Sequence, residues 1–141
     1  MLNEWLSDND FETTAETADS FEYDLPRDVI YWTITKESKF NKMYLDLCAD
    51  LGLIDNYSID TMSFLHELGH AETLIDLDDK KYAKAIKAKA NLKGTEEEKE
   101  FTYYNLYDEK EATLWAIDFA NNNKEATKKL EKIFEKIKKS A

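Results

Sequence analysis

Cysteine is almost absent from these 141 residues. Cys48 stands alone, which excludes an internal disulfide and any zinc site built from several cysteines. Its plain reading is a small buried hydrophobe on a helix. Three glycines and one proline are too few for a turn-rich β fold and favour helices. Positive charge is also scarce: 19 basic residues face 30 acidic ones, for a net charge of −11. A nucleic-acid reader is excluded on that ground, because it needs a basic surface to displace condensed counterions. No apolar run approaches the roughly 18 to 20 residues that cross a bilayer, so no membrane partner is expected. The opening MLNEWLSDND lacks a signal-peptide pattern, and a cytoplasmic location is expected.

What is present can fill a core: 43% of the chain is apolar and 13% aromatic, and its length suits one domain. Residues 1–24 carry eight carboxylates, no basic residue and few apolar anchors beyond Leu2, Trp5, Leu6, Phe11, Phe21 and Tyr23. They are expected to be a weakly ordered acidic segment, with 25–141 forming the domain. Residues 28–35, Asp-Val-Ile-Tyr-Trp-Thr-Ile-Thr, are dense in β-branched and aromatic side chains and predict the one strand. From Lys39 to Leu51 apolar residues recur at helical spacing, and Gly52 stops the run. A second helix, capped by Ser58 or Asp60, carries Met62, Phe64, Leu65, Leu68, Leu74 and Ile75 up to an acidic break at Asp76, Asp78 and Asp79. Lys80 to Lys93 predicts an alanine- and lysine-rich helix ending at Gly94. Thr95 with Glu98 reads as a capping box opening a helical region to Ala120, with a break near Tyr107 and Asp108. After the turn at Asn121, Asn122 and Asn123, Lys124 to Lys139 predicts a basic amphipathic helix whose cationic face is solvated. The fold class is α+β, mainly helical.

The chain's two histidines both fall in one segment, Phe64-Leu65-His66-Glu67-Leu68-Gly69-His70. Four residues apart on a helix, they share a face with an axial separation of about 6 Å, so two imidazole nitrogens can meet one ion at roughly 2.0 to 2.1 Å. Glu67 points beside the pair, where it can accept a proton from water without filling a coordination position. In an apolar helix, an unpartnered polar face would be costly. Gly69 permits another chain or a substrate to come close. Two histidines capping carbonyls or facing solvent are the bland alternative. A catalytic zinc needs a third protein ligand and an open position for water, and with no third histidine the ligand must be a carboxylate. Glu111 stands beside the apolar positions Leu114 and Trp115, which makes it the leading candidate; Glu109 and Asp108 are the rivals.

HELGH followed downstream by Glu111-Ala112-Thr113-Leu114-Trp115-Ala116 resembles the gluzincin metallopeptidases, closest to the ImmA/IrrE type of bacteria and their mobile elements. The resemblance covers roughly residues 58–120. It implies a minimal zincin-like domain in which a small sheet backs the motif helix, with Zn2+ held by His66, His70 and Glu111, and Glu67 as general base. A protein or peptide substrate is implied, and the 28–35 strand either pairs with it or is simply a core strand. Tyr103, Tyr104, Tyr107 and the lone arginine, Arg27, are the candidate oxyanion donors. The expected function is zinc-dependent hydrolysis of a peptide bond. The main alternative is a catalytically silent zincin-like interaction module of a bacterium or mobile element. A di-iron carboxylate bundle would need a second Glu-x-x-His pair, for which no histidine is left.

Overall fold

The computed structural model describes residues 1–74 and 79–140. Among them are α1 (Leu2–Asp8), β1 (Thr14–Thr17), β2 (Glu22–Asp24), β3 (Val29–Trp32), α2 (Lys39–Asp50), α3 (Ile59–Thr73), α4 (Asp79–Lys89), α5 (Glu96–Asn105), α6 (Tyr107–Asn122) and α7 (Lys124–Ser140). The architecture is mainly helical α+β, as the composition implies. Ile75 and the expected acidic break at Asp76 and Asp78 lie outside the described residues, and Asp79 opens α4.

α3 is the axis of the molecule. Met62, Phe64, Leu65 and Leu68 are fully buried on it, because α2, α6, α7 and the sheet pack around it. Ser58 caps its start, accepting from the Thr61 backbone N–H at 3.2 Å. Glu131 of α7 holds the same corner by accepting from Ser58 N and Ser58 Oγ, both at 3.1 Å, and from the Thr61 hydroxyl. α2 ends as its sequence implies: Gly52, at φ +112°, takes the left-handed turn that glycine permits, and Leu53 N–H returns to the Cys48 carbonyl at 2.9 Å. The helical region after Thr95 carries the capping box and divides at Leu106, giving α5 and α6.

Two expectations need correction. The acidic segment 1–24 is part of the domain, because its few apolar residues are spaced to act together. Leu2, Trp5 and Leu6 lie on one face of α1 and are 4%, 3% and 1% exposed. The Trp5 ring meets Phe11, Phe64 and Phe119, and its Nε1 donates to the Ala126 carbonyl at 2.8 Å. The carboxylates occupy the other faces, so charge did not prevent burial. Asn3 reaches across to β1, donating from Nδ2 to the Ala15 carbonyl at 3.1 Å and accepting the Ala15 N–H on Oδ1 at 2.8 Å.

The second correction concerns the strands. Among the described residues there are three, in the order β1-β3-β2, with β1 parallel and β2 antiparallel to β3. The apolar run at 29–32 is the central strand, paired on both sides, and so has no free edge for a substrate. The short polar flanking strands, unremarkable in sequence, supply the edges. Asp28, at φ +53°, makes the turn into β3 and accepts the Thr13 and Tyr23 hydroxyls on one oxygen at 2.7 and 2.8 Å.

Candidate metal centre

His66 and His70 project from α3 toward α6, with ring centroids 4.8 Å apart and ring planes perpendicular. Their Nε2 atoms converge on a single oxygen, Glu109 Oε1, at 2.8 and 3.0 Å. Histidines and carboxylate are all buried: His66 is 4%, His70 8% and Glu109 2% exposed. The other nitrogen of His66, Nδ1, lies 3.0 Å from both the Tyr44 hydroxyl and Thr113 Oγ1. The Tyr44 ring also packs edge-on against the imidazole. Such outer contacts fix a ligand's tautomer and orientation.

The approach of α6 explains why Glu109 arrives here. Glu109, Ala112, Thr113 and Ala116 recur at i, i+3, i+4 and i+7, forming a face of small buried residues with one acid at its start. Ala112 lies directly over Gly69: a Cβ on that glycine would come within 2.5 Å of the Ala112 carbonyl oxygen. The close approach that Gly69 permits is therefore that of α6 in the same chain, and it draws the acid onto the histidines.

Glu111 lies about 200° around the helix from Glu109. It is half-buried on the side of Leu114, which is 36% exposed, and Trp115, which stacks on Phe119. It makes no hydrogen bond or ion pair to either histidine; the acid that meets them is its rival Glu109. Of the apolar positions beside Glu111, Trp115 packs against Phe11 and Phe119 and Leu114 is exposed, whereas the seam against α3 is lined by alanine and threonine.

Asp108 lies in the same cluster, within 4.8 Å of the donor atoms of His70 and Glu109. Lys89 reaches in from α4, donating to Asp108 Oδ2 at 2.6 Å and to Glu109 Oε2 at 2.7 Å. Sequence reasoning missed this lysine because it looks like any other in its helix. The available signal was its spacing, one turn after Ala85, which is 4% exposed. Tyr44 and Thr113 were missed too; Thr113 could have been found as the i+4 neighbour of Glu109.

The electrostatics follow from this packing. Burial alone would raise the Glu109 carboxyl, but hydrogen bonds from His66 and His70, with their charge, hold it well below the usual carboxylate range. Burial pushes His70 down, while the Glu109 hydrogen bond and the charges of Glu109, Glu67 and Asp108 outweigh it and leave His70 raised. Lys89 is likewise raised, its burial overcome by Asp108 and Glu109. Glu67 is half-buried and makes no hydrogen bond among the described residues. Burial pushes its carboxyl up against the opposing pull of His66 and His70.

Glu67 forms a wall of two cavities. One, of about 190 Å³, also has His70, Lys89 and Asp108 in its lining; the other, of about 140 Å³, has His66, Tyr44 and Ser63. Tyr103 borders both, and Tyr104 borders the second. Tyr104 stacks on Tyr44 at 4.8 Å, and burial raises both Tyr103 and Tyr104, keeping their hydroxyls protonated. These two remain candidate oxyanion donors. Tyr107 is 39% exposed under the Lys81 ammonium, and Arg27 is engaged by Glu16 and the Tyr31 hydroxyl; neither lines these cavities. A larger cavity of about 630 Å³, between α1 and the α6–α7 turn, contains none of these groups.

The residues fit a divalent metal on two counts. Donors bound tetrahedrally at 2.0 to 2.1 Å lie about 3.3 Å apart, and the two histidine nitrogens already stand 2.8 and 3.0 Å from the carboxylate oxygen. The charge agrees: among the described residues Glu22, Glu67, Asp108 and Glu109 line the first cavity with one ammonium, Lys89, an excess of negative charge that a divalent cation would offset. Compared with known proteins, the chain matches no family model, no curated protein and no solved structure.

Proposed function

We propose that the protein is a zinc-dependent peptidase in which His66, His70 and Glu109 hold the metal and Glu67 is the general base. The observation that carries the reading is the convergence of both Nε2 atoms on one Glu109 oxygen, beside a half-buried glutamate with no hydrogen-bond partner among the described residues. A zinc ion held there would polarise a scissile carbonyl and lower the pKa of water from 15.7 to about 7.

The chain's own groups do the rest. Glu67 faces the cavities, takes a proton from the attacking water and returns it to the leaving amine. With Nε2 given to the ion, His66 carries its proton on Nδ1 and donates it to Thr113 Oγ1 or the Tyr44 hydroxyl. Lys89 engages Oε2 of Glu109, leaving Oε1 as the oxygen directed at the histidines. Tyr103 or Tyr104 donates a hydroxyl hydrogen bond to the developing oxyanion.

The test compares wild type, Glu67→Gln and His66→Ala for zinc content and for cleavage of unfolded proteins in a host lysate. Zinc retained and cleavage lost in Glu67→Gln, with both lost in His66→Ala, is the expected pattern. Full cleavage by Glu67→Gln would remove the assigned base. A silent interaction module is the second reading, favoured by Lys89 and the histidines, which together already engage both oxygens of Glu109. Zinc bound without cleavage by any form would support that reading.

A further inference from the structure

The two cavities at Glu67 are parts of a longer groove. They share Phe21, Glu67, Tyr103 and Glu109 as walls. The second shares Phe21, Tyr44, Ser63 and Tyr104 with a third cavity of about 280 Å³, which runs on toward Asp19, Thr35 and Phe40. The groove therefore extends to both sides of Glu67, and its border at Phe21, Glu22 and Tyr23 is the start of β2, an edge of the sheet.

The lining is acidic and aromatic. Asp19 and Glu100 stand toward one end and Glu22 toward the other, with Glu67 between them, among Phe21, Tyr44, Tyr103 and Tyr104. Among the described lining residues Lys89 is the only ammonium or guanidinium group, and it is committed to Asp108 and Glu109. Each end also holds a buried polar atom without a hydrogen-bond partner among the described residues: Asp108 Oδ1 on a residue 2% exposed, and Thr35 Oγ1. Asp108 lines the first cavity and Thr35 the third. An unpartnered buried carboxylate oxygen calls for a donor or a cation.

We infer that this groove binds an extended polypeptide rich in arginine and lysine, passing through on both sides of Glu67, so that an internal bond of a cationic segment is presented. Carboxylates attract the side-chain charges, and aromatic faces stack on guanidinium and ammonium groups. The open edge of β2 offers main-chain hydrogen bonds to an extended chain. An anionic segment is repelled by the same walls. The presentation of a scissile bond rests on the peptidase reading; the binding preference does not.

The experiment uses the full chain carrying Glu67→Gln and supplied with zinc. Three labelled peptides of about a dozen residues, each long enough to span several subsites at about 3.3 Å per residue, differ only in having arginine, glutamine or glutamate at alternate positions. The arginine peptide is expected to bind about tenfold more tightly than the glutamine peptide, and the glutamate peptide least. Neutralising the groove with Asp19→Asn, Glu22→Gln and Glu100→Gln should erase that preference. An equal charge change elsewhere, Glu4→Gln, Asp8→Asn and Glu125→Gln, should preserve it. Equal affinity for all three peptides, or equal loss in both triple variants, overturns the inference. If the groove triple melts early, Glu22→Gln alone, at an exposed edge position, is read by the same criterion. Wild type is then given the arginine peptide. Cleavage at an internal bond supports passage through the groove, and trimming from one end overturns it. Selective binding with no cleavage retains the groove and overturns the peptidase reading.

Discussion

Glu109 and Glu111 differ by two positions, and sequence alone weighed them on the wrong neighbours. A carboxylate beside Leu114 and Trp115 looked sheltered, yet shelter at this site comes from Ala112, Thr113 and Gly69. Glu109→Ala should therefore weaken zinc retention at least about tenfold more than Glu111→Ala in a chelator competition. The reverse order would return the ligand to Glu111. Metal-free stability should follow pH through the same groups. His70, raised above its ordinary 6.5, contributes stability that is complete below that value and is lost as pH climbs through its folded pKa. Glu109, depressed below its ordinary 4.5, contributes stability that is present above that value and is lost only in stronger acid. The metal-free protein should thus resist urea best between those two ordinary values, and added zinc should stabilise it increasingly as pH rises past His70. A metal-free optimum on the alkaline side would contradict the His70 assignment, and stability undiminished below the ordinary carboxylate range would contradict that of Glu109. Lys89→Met should lower the metal-free melting temperature, since removing one partner of a buried pair costs about 3–5 kcal/mol, and should enlarge the gain in melting temperature on adding zinc.

The seam between α3 and α6 is the element on which the centre depends. Gly69→Ala gains about 1 kcal/mol in helix propensity, but its methyl would meet the Ala112 carbonyl at 2.5 Å, and overpacking against backbone costs about 1–3 kcal/mol. We expect net destabilisation in urea titration together with weaker zinc retention, because any retreat of α6 carries Glu109 off the histidines. Unchanged zinc retention in a destabilised variant would separate the seam from the site. The helices were legible because their signals are local: the Thr95 capping box, Gly52 after α2 and the period of α7 all act within a few residues. β1 and β2 carried no such signal. Each is three or four residues long and is held by its pairing with β3, which no window of the chain displays.

Taken as one body, the molecule is closed by its own beginning. Composition pointed to an acidic, weakly ordered segment at 1–24, because an average over charge conceals three apolar residues on one face of α1. Trp5→Ala should cost about 3–5 kcal/mol, read as a lower midpoint in thermal or urea unfolding. Deleting residues 1–20 should abolish cooperative unfolding, since it removes α1, β1 and the ring contacts to Phe64 and Phe119; intact cooperative unfolding of the truncated chain would show the segment to be peripheral. The sheet's two borders also differ in kind. Asn3, by offering β1 an amide's donor and acceptor at Ala15, imitates a neighbouring strand and occupies that ladder position on the outer side of β1. Growth by addition of strands from other molecules is thereby opposed at one border, even when the other border is engaged. Asn3→Ala would reopen it, and concentration-dependent light scattering by that variant, absent from the parent, would register an aggregation hazard held off by one side chain.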